Sequence, residues 1–260
     1  MAKETSKLCR TWDVTPTEAV AIQRQLADEV DIETPLGKVR TIAACDISFN
    51  IRGDSVYAVV VVMDRESGEI IERQGVAMPP AFPYIPGLLS FREIPPVLAA
   101  YAKLKVKPDV IIADGHGIAH PRRIGIAAHL GVCLGKPTIG CGKSVLCGSY
   151  EEPGLQRGSK KPLIHKGELI GYALRTRKGV KPVYISPGNL CTFEDAVALV
   201  LETATKYRLP DPIRAAHNFA NELRIQALQG PASSAKSSTS RSVRSSGRVK
   251  SRDASEVGSS

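Results

Sequence analysis

The chain has no apolar run near the 18 or more residues that a membrane-spanning helix needs. Its longest apolar stretch, residues 56–63, is the length of one β-branched strand. A helical channel or transporter is thereby excluded. The opening MAKETSKLCR is polar and lacks the apolar core of a secretory signal, so a cytoplasmic location is expected. None of the six cysteines belongs to a CxxC pair. A structural zinc site is not expected without paired ligands, and a chain of 260 residues has core enough to need no disulfide stapling. Cys45 and Cys133 sit in apolar surroundings and read as buried small hydrophobes. GCGKS around Lys143 lacks the GxxxxGK[ST] spacing, which excludes an NTP-binding loop.

What the chain does have is positive charge, unevenly spread. The formal net charge is +9 and the pI about 9.3. That balance favours polyanionic partners, because phosphate contacts release counterions. In residues 231–260, Lys236, Arg241, Arg244, Arg248, Lys250 and Arg252 are opposed only by Asp253 and Glu256. Roughly half of the net charge therefore lies outside residues 1–230. The same segment is serine-rich and nearly devoid of large apolar side chains, so burial cannot offset its ordering entropy. It is expected to be a disordered basic Ser/Arg-rich tail. Weak, salt-sensitive nucleic-acid binding and simple solubilisation suit it equally.

Residues 1–230 read as one α/β domain. Thr15-Pro16-Thr17-Glu18 is a helix start: a cap, a proline at the first helical position and a glutamate three residues after the cap. Val20, Leu26 and Val30 are its expected buried stripe. Strands are expected at 41–49, 56–64 and, after the Gly68 turn, 69–77, as an antiparallel meander. Pro79, Pro80, Pro83 and Pro86 mark an irregular loop. Next come a helix at about 91–104, a strand at 108–113, a helix at about 122–130 and a short strand at 138–140. Beyond a stretch rich in glycine and lysine, strands fall near 169–175 and 183–186. A helix at 193–207 carries Val197, Val200, Leu201 and Ala204 on one face, and a last helix lies near 213–229. Three antiparallel strands followed by strand–helix units resemble the ribonuclease H-like architecture, a mixed central sheet flanked by helices.

Three carboxylates stand out. Asp46 lies inside the strand TIAACDISF, although aspartate is depleted in strands and an unpaired buried carboxylate is costly. A satisfied core aspartate is the equal alternative. Asp114 closes the apolar run DVIIAD ahead of Gly115 and Gly117, at a strand's carboxyl end, where α/β folds place their sites. Its alternative is a helix cap. Glu93, in SFREIPP, by itself reads as a helix-start glutamate favoured by the dipole. Together they suggest a two-metal nuclease. Mg²⁺ takes hard oxygen ligands, and two ions can activate a water and stabilise the leaving oxygen of a displaced phosphate.

CDISF, PYIPGLLSFRE and DGHGIAHPRRIGIAAHLG occur in that order, followed by GCGKSVLCG, GYALRTR and DPIRAAH. Over about residues 15–228 these runs resemble the motifs of the endonuclease V family; the tail lies outside the resemblance. The resemblance implies a fold similar to ribonuclease H and a need for Mg²⁺, with Mn²⁺ as a substitute. It also implies cleavage of the second phosphodiester bond 3′ to deoxyinosine in DNA, leaving 3′-hydroxyl and 5′-phosphate ends. By motif position, Asp46 and Asp114 are the metal-holding aspartates, and Glu93 is a further catalytic carboxylate that orders the metal or its water. His217, in DPIRAAH, resembles a late active-site histidine, with a solvated helix histidine as the alternative.

Pro83-Tyr84-Ile85-Pro86 resembles the family's strand-separating wedge. Two prolines stiffen the loop, while Tyr84 and Ile85 offer flat or apolar faces to fill the gap left by an extruded base. Gly87, Leu89 and Gly115 resemble positions lining the pocket for the flipped hypoxanthine. His120, Arg122 and Lys143 are candidates for DNA contact, with Lys143 resembling a lysine near the scissile phosphate, where a point charge stabilises developing negative charge. Arg92 is expected to hold Glu93 or a phosphate. His116 and His120 stand four apart, but the glycines around them argue against a helical metal pair.

Three other readings stay open. The substrate could be inosine-containing RNA, recognised through a 2′-hydroxyl contact. The chain could be a non-catalytic binder of deaminated nucleic acid, against which the three intact carboxylates argue. An unrelated α/β phosphotransferase would require the motif order to be coincidence. The family reading needs no second subunit, so a monomer is expected.

Overall fold

The computed structural model describes residues 7–49 and 55–229. The tail expected at 231–260 lies outside the described residues. After a 3₁₀ turn (Lys7–Arg10) comes α1 (Pro16–Ala27), started by the expected capping box. The Thr15 hydroxyl accepts from the Glu18 amide, and the Glu18 carboxylate accepts from the Thr15 amide at 2.8 Å. Three long strands follow: β1 (Thr41–Phe49), β2 (Val56–Asp64) and β3 (Ile70–Met78). They pair as the expected antiparallel meander. Then come α2 (Leu89–Ala102), β4 (Val110–Ala113), α3 (Ile126–Leu134), β5 (Thr138–Gly142), β6 (Lys160–His165), β7 (Glu168–Leu174), β8 (Val183–Asn189), α4 (Phe193–Thr203) and α5 (Asp211–Gln229). Among the described residues the strands form one mixed sheet in the order β3-β2-β1-β4-β5-β8-β7-β6. Its first five strands follow the ribonuclease H-like order, and the last three extend it.

Period-two alternation divides the strand side chains between two cores. Ile42 and Ala44 of β1 and Val59, Val61 and Met63 of β2 face α4 and α5. Ala43, Cys45, Ala58, Val60 and Val62 face α2 and α3. Burial on both faces explains why β2 reads as a continuous apolar run. α1 and the 3₁₀ turn form an outer layer over α2 and α3, where Ala19, Ile22 and Leu26 meet Phe91, Ala128 and Val132. Leu26 is wholly buried, and burying such a side chain contributes roughly 1.5–3 kcal/mol. The stripe of α1 is thus Ala19, Ile22, Gln23 and Leu26 rather than Val20, Leu26 and Val30. It carries a buried glutamine that the apolar pattern does not reveal.

Other departures have local causes. β6 was not expected. As an edge strand it tolerates Lys160, Lys161 and Pro162, residues that make its sequence look like loop. α3 starts at Ile126 instead of residue 122 because Arg123 adopts φ +60°. Its guanidinium meanwhile bonds Glu168, the His120 carbonyl and the His165 carbonyl. α4 ends at Thr203, short of 207, and α5 begins at Asp211. Cys45 and Cys133 are buried free thiols, as expected. No helix among the described residues is long and apolar enough to cross a membrane.

His129 of α3 is fully buried between Trp12, stacked at 5.5 Å, and Phe91, edge-on at 5.3 Å, with Nδ1 3.0 Å from the Ser90 hydroxyl. Burial holds its pKa down at about 3, against 6.5 for a free imidazole. A depressed histidine pKa contributes stability that is fully present above about pH 6.5 and is lost as pH falls toward 3. In thermal melts run from pH 7 to 4, His129→Phe is therefore expected to show a shallower acid decline than wild type. Parallel declines would refute the assignment.

Candidate active site

β1 and β4 run parallel, paired from Ile42 with Val110 to Cys45 with Ala113. The next residue on each strand is the carboxylate singled out in the sequence. Asp46, inside β1, and Asp114, just past the carboxyl end of β4, therefore stand side by side on adjacent strands. Glu93 approaches from α2 and completes the wall of a small cleft shared with Cys45, Ile47 and Ile126. Burial, then the charges of Asp46 and Asp114, push the Glu93 carboxyl up to about 7. The same two causes, burial first and then Asp114, raise Asp46.

Each strand carboxylate has a counter-group. Asp46 Oδ2 lies 2.9 Å from His217 Nδ1, and His217 Nε2 lies 3.1 Å from the Asn221 amide one turn further along α5. Asp114 pairs with the Lys143 ammonium, which follows β5. Arg208 fixes the Lys143 backbone, donating to its carbonyl at 2.8 Å and to the carbonyls of Lys181 and Pro182. The sheet supplies the two aspartates, each helical layer one further side chain, and the loop after β5 the lysine.

Beside the carboxylates opens a cavity of about 210 Å³, whose lining includes Glu93 and Asp114 together with Gly87, Leu89, Gly115 and His120. Four of the six positions expected to line a base pocket or touch DNA thus share one cavity, while Arg122 and Lys143 are not in its lining. Gly87, at φ +78°, lies in the left-handed region that favours glycine. Gly117 admits no side chain at all, since a Cβ there would sit 2.0 Å from the Pro187 carbonyl oxygen. His120 and Arg122 both turn inward to the Gly87 carbonyl, at 3.1 and 2.6 Å. In the proline-rich loop, Pro83 and Pro86 are exposed. Tyr84 projects with 64% of its surface free, whereas Ile85 packs on the core beneath. Arg92 donates to the Phe82 carbonyl at the root of this loop, and its charge still opposes the rise at Glu93. Gln23, His116 and Leu146 also line the cavity. The sequence signal for Gln23 is a polar residue in register with the buried positions of α1; for Leu146 we find none.

Among the described residues no group of three or more His, Cys, Asp or Glu side chains stands at metal-binding spacing. Lys143 and His217 hold the two aspartates instead. The donor chemistry nonetheless fits a divalent cation: hard oxygens from three carboxylates share one cleft, and burial, reinforced by the two aspartates, lifts Glu93 toward neutrality. Such a site, at the carboxyl edge of a ribonuclease H-like sheet, is that of a metal-dependent nuclease.

Comparison with known proteins gives the family. The model for Endonuclease V matches residues 24–218. Endonuclease V of Myxococcus xanthus is 49% identical over 214 residues, covering 82% of this chain and 91% of its own. The crystal structure of Endonuclease V from Streptomyces avermitilis superposes with a TM-score of 0.81 at 39% identity, covering 84% of this chain and 97% of its own. Endonuclease V of Ciona intestinalis, bound to a 24mer DNA containing an inosine followed by a ribo-adenosine, superposes at 0.69 with 26% identity, covering 79% and 96%. The chain belongs to the Endonuclease V family, the deoxyinosine 3′ endonucleases.

Two predictions follow from the electrostatics. A raised carboxyl pKa destabilises the ionised folded state: the penalty is absent below about pH 4.5 and complete above about 7. Glu93→Gln is expected to raise the melting temperature at pH 8 in EDTA, by roughly 2–4 °C for each kcal/mol of repulsion removed. An unchanged or lower value would contradict the repulsion. His217→Ala removes the partner that orients Asp46, and should raise the metal concentration for half-maximal cleavage by roughly 10–100-fold. A metal titration identical to wild type would rule that role out.

Proposed function

We propose that the protein is a Mg²⁺-dependent DNA repair endonuclease that cuts the second phosphodiester bond 3′ to deoxyinosine, leaving 3′-hydroxyl and 5′-phosphate ends. The observation that carries this reading is the adjacency of a carboxylate cleft to a cavity of base dimensions, with Glu93 and Asp114 on the wall between them. A base turned into that cavity leaves its own backbone close to the carboxylates, so a bond just downstream is the one presented for cutting. The Ciona protein's inosine-containing DNA supports the choice of lesion.

Asp46, Asp114 and Glu93 would hold Mg²⁺, with Mn²⁺ as a substitute. When bound, the metal supplies a Lewis acid and an activated water for an in-line displacement at phosphorus. The remaining steps belong to the chain. His217 fixes the Asp46 carboxylate in one orientation. Lys143 moves from Asp114 to the scissile phosphate, where its charge offsets negative charge that develops as the bond breaks. Tyr84, stiffened by Pro83 and Pro86 and backed by the partly buried Ile85, fills the space vacated by the extruded base. Gly87, Leu89 and Gly115 line the pocket; uncovered backbone there reads the base edge, and a base carrying an exocyclic amine is rejected sterically or by unpaired polar groups. Because every one of these groups comes from one chain, a monomer suffices.

RNA is the second reading. The specific observation that favours it is the ribonucleotide directly after the inosine in the Ciona complex, since a 2′-hydroxyl there offers a contact that DNA lacks. One gel tests both. End-labelled duplexes with a single deoxyinosine, matched duplexes with adenosine, and inosine-containing RNA are incubated with and without Mg²⁺. The expected result is a Mg²⁺-dependent nick immediately after the 3′ neighbour of deoxyinosine, absent for Asp46→Asn and Asp114→Asn. Cutting independent of the base refutes the proposal, and faster cutting of the RNA moves the substrate to the second reading.

A further inference from the structure

We infer that Gln23, on α1 and outside the motifs that carry the chemistry, is a positioning residue that sets the wall of the base pocket by fixing the Gly87 carbonyl. The inference rests on the function proposed above and assigns a specificity-determining role to a side chain that acts through the Gly87 carbonyl.

The geometry is a closed set of hydrogen bonds. Gln23 is 99% buried, being 1% exposed, and lines the cavity beside Glu93. Its Nε2 donates to the Gly87 carbonyl at 3.0 Å. Its Oε1 accepts from Arg122 Nε at 2.5 Å, and Arg122 donates a second bond, at 2.6 Å, to the same Gly87 carbonyl. His120 supplies a third donor. Its Nδ1 accepts from the Arg122 amide at 3.2 Å, so the ring proton sits on Nε2 and points to Gly87 O at 3.1 Å. Burial keeps this imidazole neutral, with its pKa down at about 4, so the tautomer persists at physiological pH.

Three donors on one carbonyl exceed what a turn needs for stability, since a peptide oxygen has two lone pairs. Gly87 is also the last residue of PYIPG, at φ +78°, directly ahead of Leu88, the N-cap of α2. Its orientation therefore governs two things together: the direction in which Tyr84 projects and the position of the backbone on the cavity wall. A layer that does no chemistry, α1, thereby determines whether the pocket matches a base lacking an exocyclic amine. Its only polar buried side chain serves that purpose, in a helix that otherwise buries Ala19, Ile22 and Leu26.

The test compares wild type, Gln23→Leu and Gln23→Glu on duplexes with one deoxyinosine or one adenosine at the same position. The leucine variant loses both bonds. The glutamate variant keeps the acceptor for Arg122 and loses the donor to Gly87, so it holds the fold if leucine does not. The net worth of one such hydrogen bond corresponds to about tenfold. We expect KM for the deoxyinosine duplex to rise about tenfold with kcat within about threefold, and the deoxyinosine-to-adenosine ratio of kcat/KM to fall about tenfold. A 2-aminopurine placed beside the lesion should brighten less on mixing with the variants in EDTA, where extrusion is followed without cleavage. If both variants melt earlier yet keep the wild-type KM, base ratio and fluorescence change, Gln23 is merely structural and the inference is overturned. If wild type itself does not distinguish deoxyinosine from adenosine, the proposed function falls first, so the two failures are separable.

Discussion

The parallel pairing of β1 with β4 brings two aspartates to the same edge of the sheet, and much of the molecule is arranged around that juxtaposition. β1 cannot slide to relieve it. The strand is hydrogen-bonded on one side to β2 over nine residues and on the other to β4, and a shift of one residue would turn every apolar side chain to the wrong layer. Two unit charges 4 Å apart at an effective dielectric of about 20 repel by about 4 kcal/mol. The fold therefore supplies His217 to Asp46 and Lys143 to Asp114, while the third carboxyl, Glu93, is left close to half-protonated at neutral pH.

A protein selected for stability alone would place apolar residues at the ends of these strands. Retaining two aspartates on these strands, with Glu93 of α2 facing them, is intelligible as preparation for a cation, whose charge converts repulsion into coordination. The groups that quiet the aspartates are also the ones the proposed reaction would use: His217 to orient a ligand, and Lys143 to exchange its carboxylate for a phosphate. Arg208 is spent on backbone carbonyls, keeping Lys143 within reach of both.

The cavity beside the carboxylates depends on a different kind of restraint. The loop that bounds it is stiffened internally by prolines 83 and 86 and tied externally at the Phe82 carbonyl by Arg92 and at the Gly87 carbonyl by three donors. Tyr84 is thus presented on a fixed support, Ile85 packing on the core beneath it. For the wedge proposed above, such pre-ordering would reduce the entropy lost on entering a duplex. The layer that achieves this, α1, lies on the far side of α2 and α3 from the sheet.

Strand periodicity, the Thr15 capping box, the antiparallel meander and the two anomalous aspartates were legible in the sequence because each depends on residues close together along the chain. The ordered motifs named the family and, through it, Glu93, Lys143 and His217. The edge strand β6 was not legible, since lysine and proline suit an edge and a loop alike; nor was the late start of α3, which follows from Arg123's contacts with residues more than forty positions away. The adjacency of Asp46 to Asp114 is a matter of strand register across 68 residues, and the role of Gln23 hangs on a carbonyl 64 residues distant. Local pattern records which residues are out of place in a core. Only the tertiary structure decides which of them meet, because hydrogen bonds and charge repulsion act over a few ångströms of space, whatever the distance along the chain.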